Sequence, residues 1–154
     1  MKIRILNRQA IEKLANGRFP EKTAVISITD YGYDFAELKY KPNYLLQLNF
    51  DDIDGDVFVD EFGRQPTDEE RLNIEAKYHM LSDEQAEQIA DFYRSVYDKV
   101  EVIICQCEHG QSRSAAIAAA ILEYRSRKGI AIFADDRYYP NKIIFKKVLK
   151  AITR

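Results

Sequence analysis

Apolar residues fall in short clusters separated by polar turns, and the spacing inside each cluster predicts an element. Lys2–Leu6 alternates as a short strand, and Asn7 can cap a helix that carries Ala10, Ile11 and Leu14. Thr23–Thr29 (TAVISIT) and Tyr44–Phe50 (YLLQLNF) are β-branched and apolar, which predicts buried strands. Asp30-Tyr31-Gly32-Tyr33 breaks the first and the acidic run DDIDGD ends the second. Ser82 and Gln85 make a capping box, and Ala86, Ile89, Ala90, Tyr93, Val96 and Val100 recur at helical spacing; an amphipathic helix is expected over Asp83–Asp98. A strand at Val102–Cys105 (VIIC) leads through CEHGQSR into Ser114–Tyr124, an Ala- and Ile-rich run expected as a buried helix that Gly129 stops. Asn141, after Pro140, opens a last helix with Ile144, Val148, Leu149 and Ile152 facing inward.

Strands alternating with helices make an α/β pattern: a mostly parallel central sheet flanked by helices, with a loop between a buried strand and a buried helix. At 154 residues, with no linker, repeat or low-complexity tract, one domain over 1–154 is expected. The net charge of -2 offers no general attraction for nucleic acid or an anionic membrane, so neither is expected as a partner and any anion binding must be local. The segment MKIRILNRQAIEKL is charged throughout and no apolar run reaches spanning length, which points to the cytoplasm. Cys105 and Cys107 are too close for an ordinary structural bridge, and a reducing compartment keeps them as thiols.

The chemistry sits in Cys107-Glu108-His109-Gly110-Gln111-Ser112-Arg113-Ser114. A loop that curls around its own backbone N–H groups, beneath a helix N-terminus, forms a nest for an anion the size of phosphate. Glu108, His109, Gly110, Gln111, Ser112 and Arg113 would bind the phosphate, and Gly110 permits the tight curvature. Cys107, at the floor of that nest, feels the same positive field; the thiolate is favoured and becomes a nucleophile aimed at phosphorus. Arg113 adds a planar fork for two phosphoryl oxygens, a geometry that lysine lacks. Ser114 can donate a hydrogen bond to the sulfur and help it leave, while Ser112 supports the loop.

Cysteine, five residues, arginine and then serine: with this context the chain resembles the cysteine-dependent protein tyrosine phosphatase superfamily. The local form CEHGQSRSAA is most similar to the small dual-specificity-type phosphatases, many of them bacterial, and the likeness runs from about Asp30 to Tyr124. Low-molecular-weight tyrosine phosphatases and arsenate reductases carry a similar loop near the start of the chain, whereas here it is late, and no cysteine follows Cys107. The resemblance implies hydrolysis of phosphotyrosine, with phosphoserine or phosphothreonine as further substrates, in a phosphorylated protein or peptide. It implies a cysteinyl-phosphate intermediate and neither metal nor other cofactor. It also implies a general acid, an aspartate on a loop after an upstream strand, and places it at Asp52, with Asp51, Asp54 and Asp68 as rivals.

Two features depart from the family. Gln106 stands where a histidine normally precedes the nucleophile; it can hydrogen-bond the loop but carries no charge, so the thiolate is expected to be less strongly favoured. The stretch from Asp52 to Cys107 is longer than usual, which leaves room for an insertion across Gly55–Met80 as a lid or substrate rim, where Thr67 and Glu70 suggest a short capped helix.

Other readings of the same residues are blander. The run Asp51–Asp56 fits a solvated loop, and its glycine is misplaced for a calcium loop. Cys105, Cys107, His109 and His79 do not match the usual zinc spacings. Cys105 reads as a small core hydrophobe that could pair with an oxidised Cys107, and His109 offers only a backbone N–H and a rim contact. Tyr31 and Tyr33 could line the substrate entrance, and Arg125–Lys128 caps a helix end remote from the anion site. A phosphoinositide or RNA 5′-end phosphatase is the alternative within the same chemistry, although a lipid reader would show lysines in the loop. A phosphoprotein-binding module is the alternative outside it, and such a module needs neither thiol nor acid.

Overall fold

Four apolar runs pair side by side in a fully parallel sheet, in the order β1-β4-β2-β3. The computed structural model describes every residue from Met1 to Arg154 and places the strands at β1 (Lys2–Leu6), β2 (Thr23–Thr29), β3 (Tyr44–Asn49) and β4 (Val102–Gln106). Between and after them run α1 (Arg8–Leu14), α2 (Asp56–Phe62), α3 (Asp68–Lys77), α4 (Asp83–Val96), α5 (Arg113–Ser126), α6 (Ile130–Phe133) and α7 (Lys142–Thr153). Parallel neighbours require crossover connections, so the alternation read from the sequence and the strand direction are one fact.

The two central strands are apolar on both faces because both faces are covered. Ala24, Ile26 and Ile28 of β2, with Ile103 and Cys105 of β4, point into the larger core, built with α4, α5 and α7. Val25 and Ile104, the alternate positions, point into a smaller core with Ile11 and Ala15 near α1, and Phe19, Ala36 and Leu38 from the loops. Helix α5 lies deepest: every residue from Arg113 to Ile121 is buried, and its run of alanines lets it sit close to the sheet and to α7.

The predicted elements form with small shifts at their ends. The helix expected to reach Asp98 ends at Val96, and the one expected to begin at Ser114 begins at Arg113. Gly129 is not the stop of α5. Arg127 takes the left-handed position, with φ of 60°, and ends the helix. Gly129 instead provides room: a Cβ there would lie 2.7 Å from the Ala119 carbonyl oxygen. The acidic run read as a solvated loop turns into α2 at Asp56, a helix that the sequence pattern does not announce.

The insertion over Gly55–Met80 is therefore α2 and α3, joined by Gly63–Thr67, and α3 opens on the Thr67/Glu70 capping box. Neither helix supplies a side chain to the two cores. Ile74 of α3 is buried outside those two cores, and beside it lies a buried ion-pair cluster that ties α3 to α7. Glu75, 5% exposed, is paired to Arg71 at 2.8 Å and to Lys147 of α7, and Lys147 also donates to the Leu81 carbonyl at 2.6 Å. Breaking a buried pair strands the remaining charge. Glu75→Ala is expected to release the insertion while the cores persist: limited proteolysis should cut within 55–80 much faster, with the main urea-unfolding midpoint nearly unchanged.

Candidate active site

In a parallel sheet the loops at the carboxyl ends of adjacent strands share one edge, which is where such folds build their sites. Because β2 lies between β4 and β3, three loops meet there: Cys107–Ser112 after β4, Asp30–Tyr33 after β2, and Phe50–Asp54 after β3.

The loop after β4 is shaped by what grips its carbonyls. The Cys107 oxygen accepts from Gln106 Nε2 at 3.0 Å, Glu108 from the Arg8 N–H at 3.1 Å, Gln111 from Tyr139 N–H at 2.8 Å, and Ser112 from Asn141 N–H at 3.3 Å. With these four carbonyls held by donors from outside the loop, none of the N–H groups from Glu108 to Arg113 donates to a protein acceptor. Backbone donors are rarely left so, and a concave run of them is an anion nest. Gly110 sits at φ of 65° against the neighbouring strand end, where a Cβ would come 2.7 Å from the Asn7 nitrogen. Curvature and close approach both demand glycine.

Cys107 Sγ lies at the base of this loop, 2% exposed. The Ser114 hydroxyl is 3.1 Å from the sulfur and the Ser114 N–H donates to it at 3.5 Å. Gln106 accepts a hydrogen bond at Oε1 from Ser27 Oγ of the adjacent strand, its register partner across the sheet, while its amide nitrogen holds the Cys107 carbonyl. An uncharged glutamine thus braces the loop. Cys105 and Cys107 are both free, and Cys105 is wholly buried in the larger core. Burial, with Cys107 adding to it, pushes the Cys105 thiol strongly up, so it stays protonated.

Arg113 begins α5 and is 4% exposed. Its Nη1 donates to the Phe50 carbonyl at 2.8 Å and pairs with Asp30 at 2.6 Å, while no protein acceptor takes Nε or Nη2. One arm of the fork is anchored and the rest is available to a ligand. Asp52 Oδ1 accepts from Ser112 Oγ at 2.8 Å and from Asn141 Nδ2 at 2.9 Å, and Asn141 also donates to the Ile53 carbonyl. The rival aspartates are engaged elsewhere: Asp51 accepts the Tyr31 N–H, Asp54 accepts the Asp56 N–H at the start of α2, and Asp68 lies in the first turn of α3.

Of the residues expected to bind phosphate, Glu108 turns its side chain to Arg8 at 2.7 Å and His109 is exposed at the rim. Ser112 does more than support the loop, since its hydroxyl reaches the acid candidate. Tyr31 stacks on His79 with ring centroids 3.6 Å apart, forming an aromatic wall beside Asp30 and Asp51; Tyr33 stands 70% exposed. Sequence reasoning did not find Asp30, Asn141 or Arg8 as parts of the site. Asn141 was visible only as a helix cap and Asp30 only as a strand breaker, because each meets its partner across some eighty residues of chain.

With this geometry in place, comparison with solved structures becomes informative. Tk-PTP in its active form superposes with a TM-score of 0.53 at 17% identity, covering 99% of this chain and 91% of that one. Human DUSP28 superposes with a TM-score of 0.52 at 14% identity, covering 98% and 91%. The chain has the tyrosine and dual-specificity phosphatase fold. No protein-family model matches the sequence, and no curated protein matches it. Cys107, Arg113 and the loop that carries Asp52 lie at the carboxyl edge of the sheet in this fold.

Two outcomes follow from the geometry. Iodoacetamide should label Cys107 and spare Cys105 in the folded protein, and phosphate or vanadate should protect Cys107; peptide mapping by mass spectrometry reads both. Gly110→Ala should abolish that protection and lower stability by about 1–3 kcal/mol, the usual cost of forcing atoms into a packed site, as measured by urea unfolding.

Proposed function

We propose that this protein is a cysteine-dependent phosphatase that hydrolyses phosphotyrosine in proteins, with phosphoserine and phosphothreonine as further substrates. The observation that carries the reading is the run of N–H groups from Glu108 to Arg113 that have no protein acceptor, in the loop that links Cys107 to the start of α5. A phosphoryl group in that nest receives hydrogen bonds on its oxygens and presents phosphorus to the thiolate.

The reaction proceeds in two displacements. Cys107 Sγ attacks phosphorus in line, the bond to the substrate oxygen breaks, and that oxygen takes a proton from Asp52. Asp52 is suited to this. Both of its protein donors, Ser112 and Asn141, bind Oδ1, so the proton of the acid form belongs on Oδ2, the oxygen left to face a substrate. Free Nε and Nη2 of Arg113 bind two equatorial oxygens and stabilise the transition state, with Nη1 held by Phe50 and Asp30 to keep the fork aligned. In the second step water attacks the cysteinyl-phosphate, the Asp52 carboxylate takes its proton, and the Ser114 hydroxyl stabilises the departing sulfur.

An exposed aromatic pair at the rim, Tyr31 on His79, favours a substrate with a ring to lay against it. The loop has no lysine for a phosphoinositide headgroup, and a binding module has no use for the thiol or the acid.

Turnover of phenyl phosphate and of p-nitrophenyl phosphate tests the assignment. Cys107→Ser should remove hydrolysis of both. Arg113→Lys should lower kcat/KM by about 10²–10³. Asp52→Asn should cost about 10²–10⁴ on phenyl phosphate, whose leaving group needs the proton, and far less on p-nitrophenyl phosphate, whose leaving group does not. Hydrolysis by Cys107→Ser at the wild-type rate would exclude the mechanism.

A further inference from the structure

Helix α7 carries a row of cations that the fold does not use. Lys142, Lys146, Lys150 and Arg154 recur every four residues and so share one face of the helix. The ion pairs made from this segment are those of Lys147, which is turned toward Glu75 and Asp83, and of Arg154 with Glu87. Lys142, Lys146 and Lys150 have no carboxylate partner and are exposed. Like charges at four-residue spacing destabilise a helix by a few tenths of a kcal/mol each, so a row of them is a standing cost that a bound anion would relieve.

The row starts at the catalytic edge. Lys142 follows Asn141, whose side chain binds Asp52. Lys146, Lys150 and Arg154 then form one side of a groove of 670 Å³, and the insertion, α2 and α3, forms the other. Gly55, three residues past Asp52, belongs to the lining, as do the apolar side chains of Phe58, Val59 and Ile143. Its carboxylates are already matched: Glu75 and Asp83 by Lys147 and Arg71, and Glu87 by Arg154. Asp68 is the acid left over, against two free lysines in the same lining. The groove thus carries apolar side chains from both of its sides, is cationic on its α7 side, and reaches Gly55 near the loop that carries Asp52.

We infer that this groove docks an acidic segment of the phosphoprotein substrate, so that the enzyme selects phosphorylated residues flanked by Glu or Asp. The inference rests on the phosphatase reading above. Lys146 lies about 7 Å along the helix from Asn141, and Lys150 about 13 Å. An extended peptide advances about 3.3 Å per residue, so the acidic positions fall about two to four residues beyond the point where the peptide passes Asn141, with an apolar side chain laid on Phe58 and Ile143. A concave channel between two walls, with apolar side chains among its lining, fits a peptide. A flat anionic bilayer would meet the crests of the lysine row and leave the apolar lining unused.

Two phosphotyrosine peptides, identical except for Glu or Ser at those positions, make the test. Their kcat/KM values are measured with wild type, their affinities with Cys107→Ser, and phenyl phosphate serves as the reference substrate. The acidic peptide should be bound and hydrolysed about three- to thirtyfold better at low salt, with the gain shrinking as salt is added. The double variant Lys146→Glu/Lys150→Glu should erase that gain and leave phenyl phosphate turnover unchanged. Equal treatment of the two peptides by an enzyme that turns over phenyl phosphate overturns the docking site and leaves the phosphatase reading intact. Failure to turn over phenyl phosphate overturns both. Cosedimentation with phosphatidylserine vesicles that the double variant loses, without any peptide preference, overturns the peptide assignment in favour of a membrane.

Discussion

A backbone that bends its N–H groups toward one point must put its carbonyls somewhere, and in this protein they are held by donors from outside the loop. Gln106 at the end of β4, Arg8 at the start of α1, and Tyr139 and Asn141 ahead of α7 each take one carbonyl of the segment Cys107–Ser112. Without them those N–H groups would be free to turn toward protein or solvent acceptors and the nest would collapse. The architecture can be read as the set of elements needed to bring those donors to one place. β1 pairs with β4 and so delivers Arg8 and the Asn7 backbone that packs on Gly110. α7 packs on α4 and α5 and so delivers Asn141.

Asn141 joins three jobs in one side chain. Its Oδ1 caps α7 by accepting from Ile143 and Ile144, its Nδ2 holds Asp52 and the Ile53 carbonyl, and its own N–H pins Ser112. Helix capping, the orientation of Asp52 and loop shape are therefore coupled, and the stability of α7 is part of the candidate site. The insertion is tied to the same helix through Glu75 and Lys147, so the groove wall and the acid loop share one support. It contributes no side chain to the two main cores and is tied to α7 by the buried Glu75–Lys147 pair, which sets it apart from the rest of the fold.

Most of the fold was legible because burial leaves a periodic trace. β2 and β4 are buried at nearly every position and mostly apolar because both faces are covered, and α4 and α7 show their inward stripes and caps plainly. The loop of the candidate site was legible as well, since Cys107, Gly110, Arg113 and Ser114 lie within a single stretch of chain. α2 left no such trace: it starts without a side-chain cap, buries no residue, and sits in an acidic run that resembles a solvated loop. Arg127 also escaped, because a left-handed residue at a helix end usually is glycine and the nearby glycine was needed for packing instead.

What the sequence determined by itself was the order of elements, the faces they bury and the candidate anion loop that starts at Cys107, all properties of neighbours along the chain. Which aspartate stands at the loop, what anchors Arg113 and what faces the lysine row of α7 were decided only by tertiary structure. Each depends on residues from different strand ends and helices meeting at one sheet edge. Asp51, Asp52 and Asp54 are indistinguishable in a string of acids; one of them is within reach of both Ser112 and Asn141, and that distance exists only after folding.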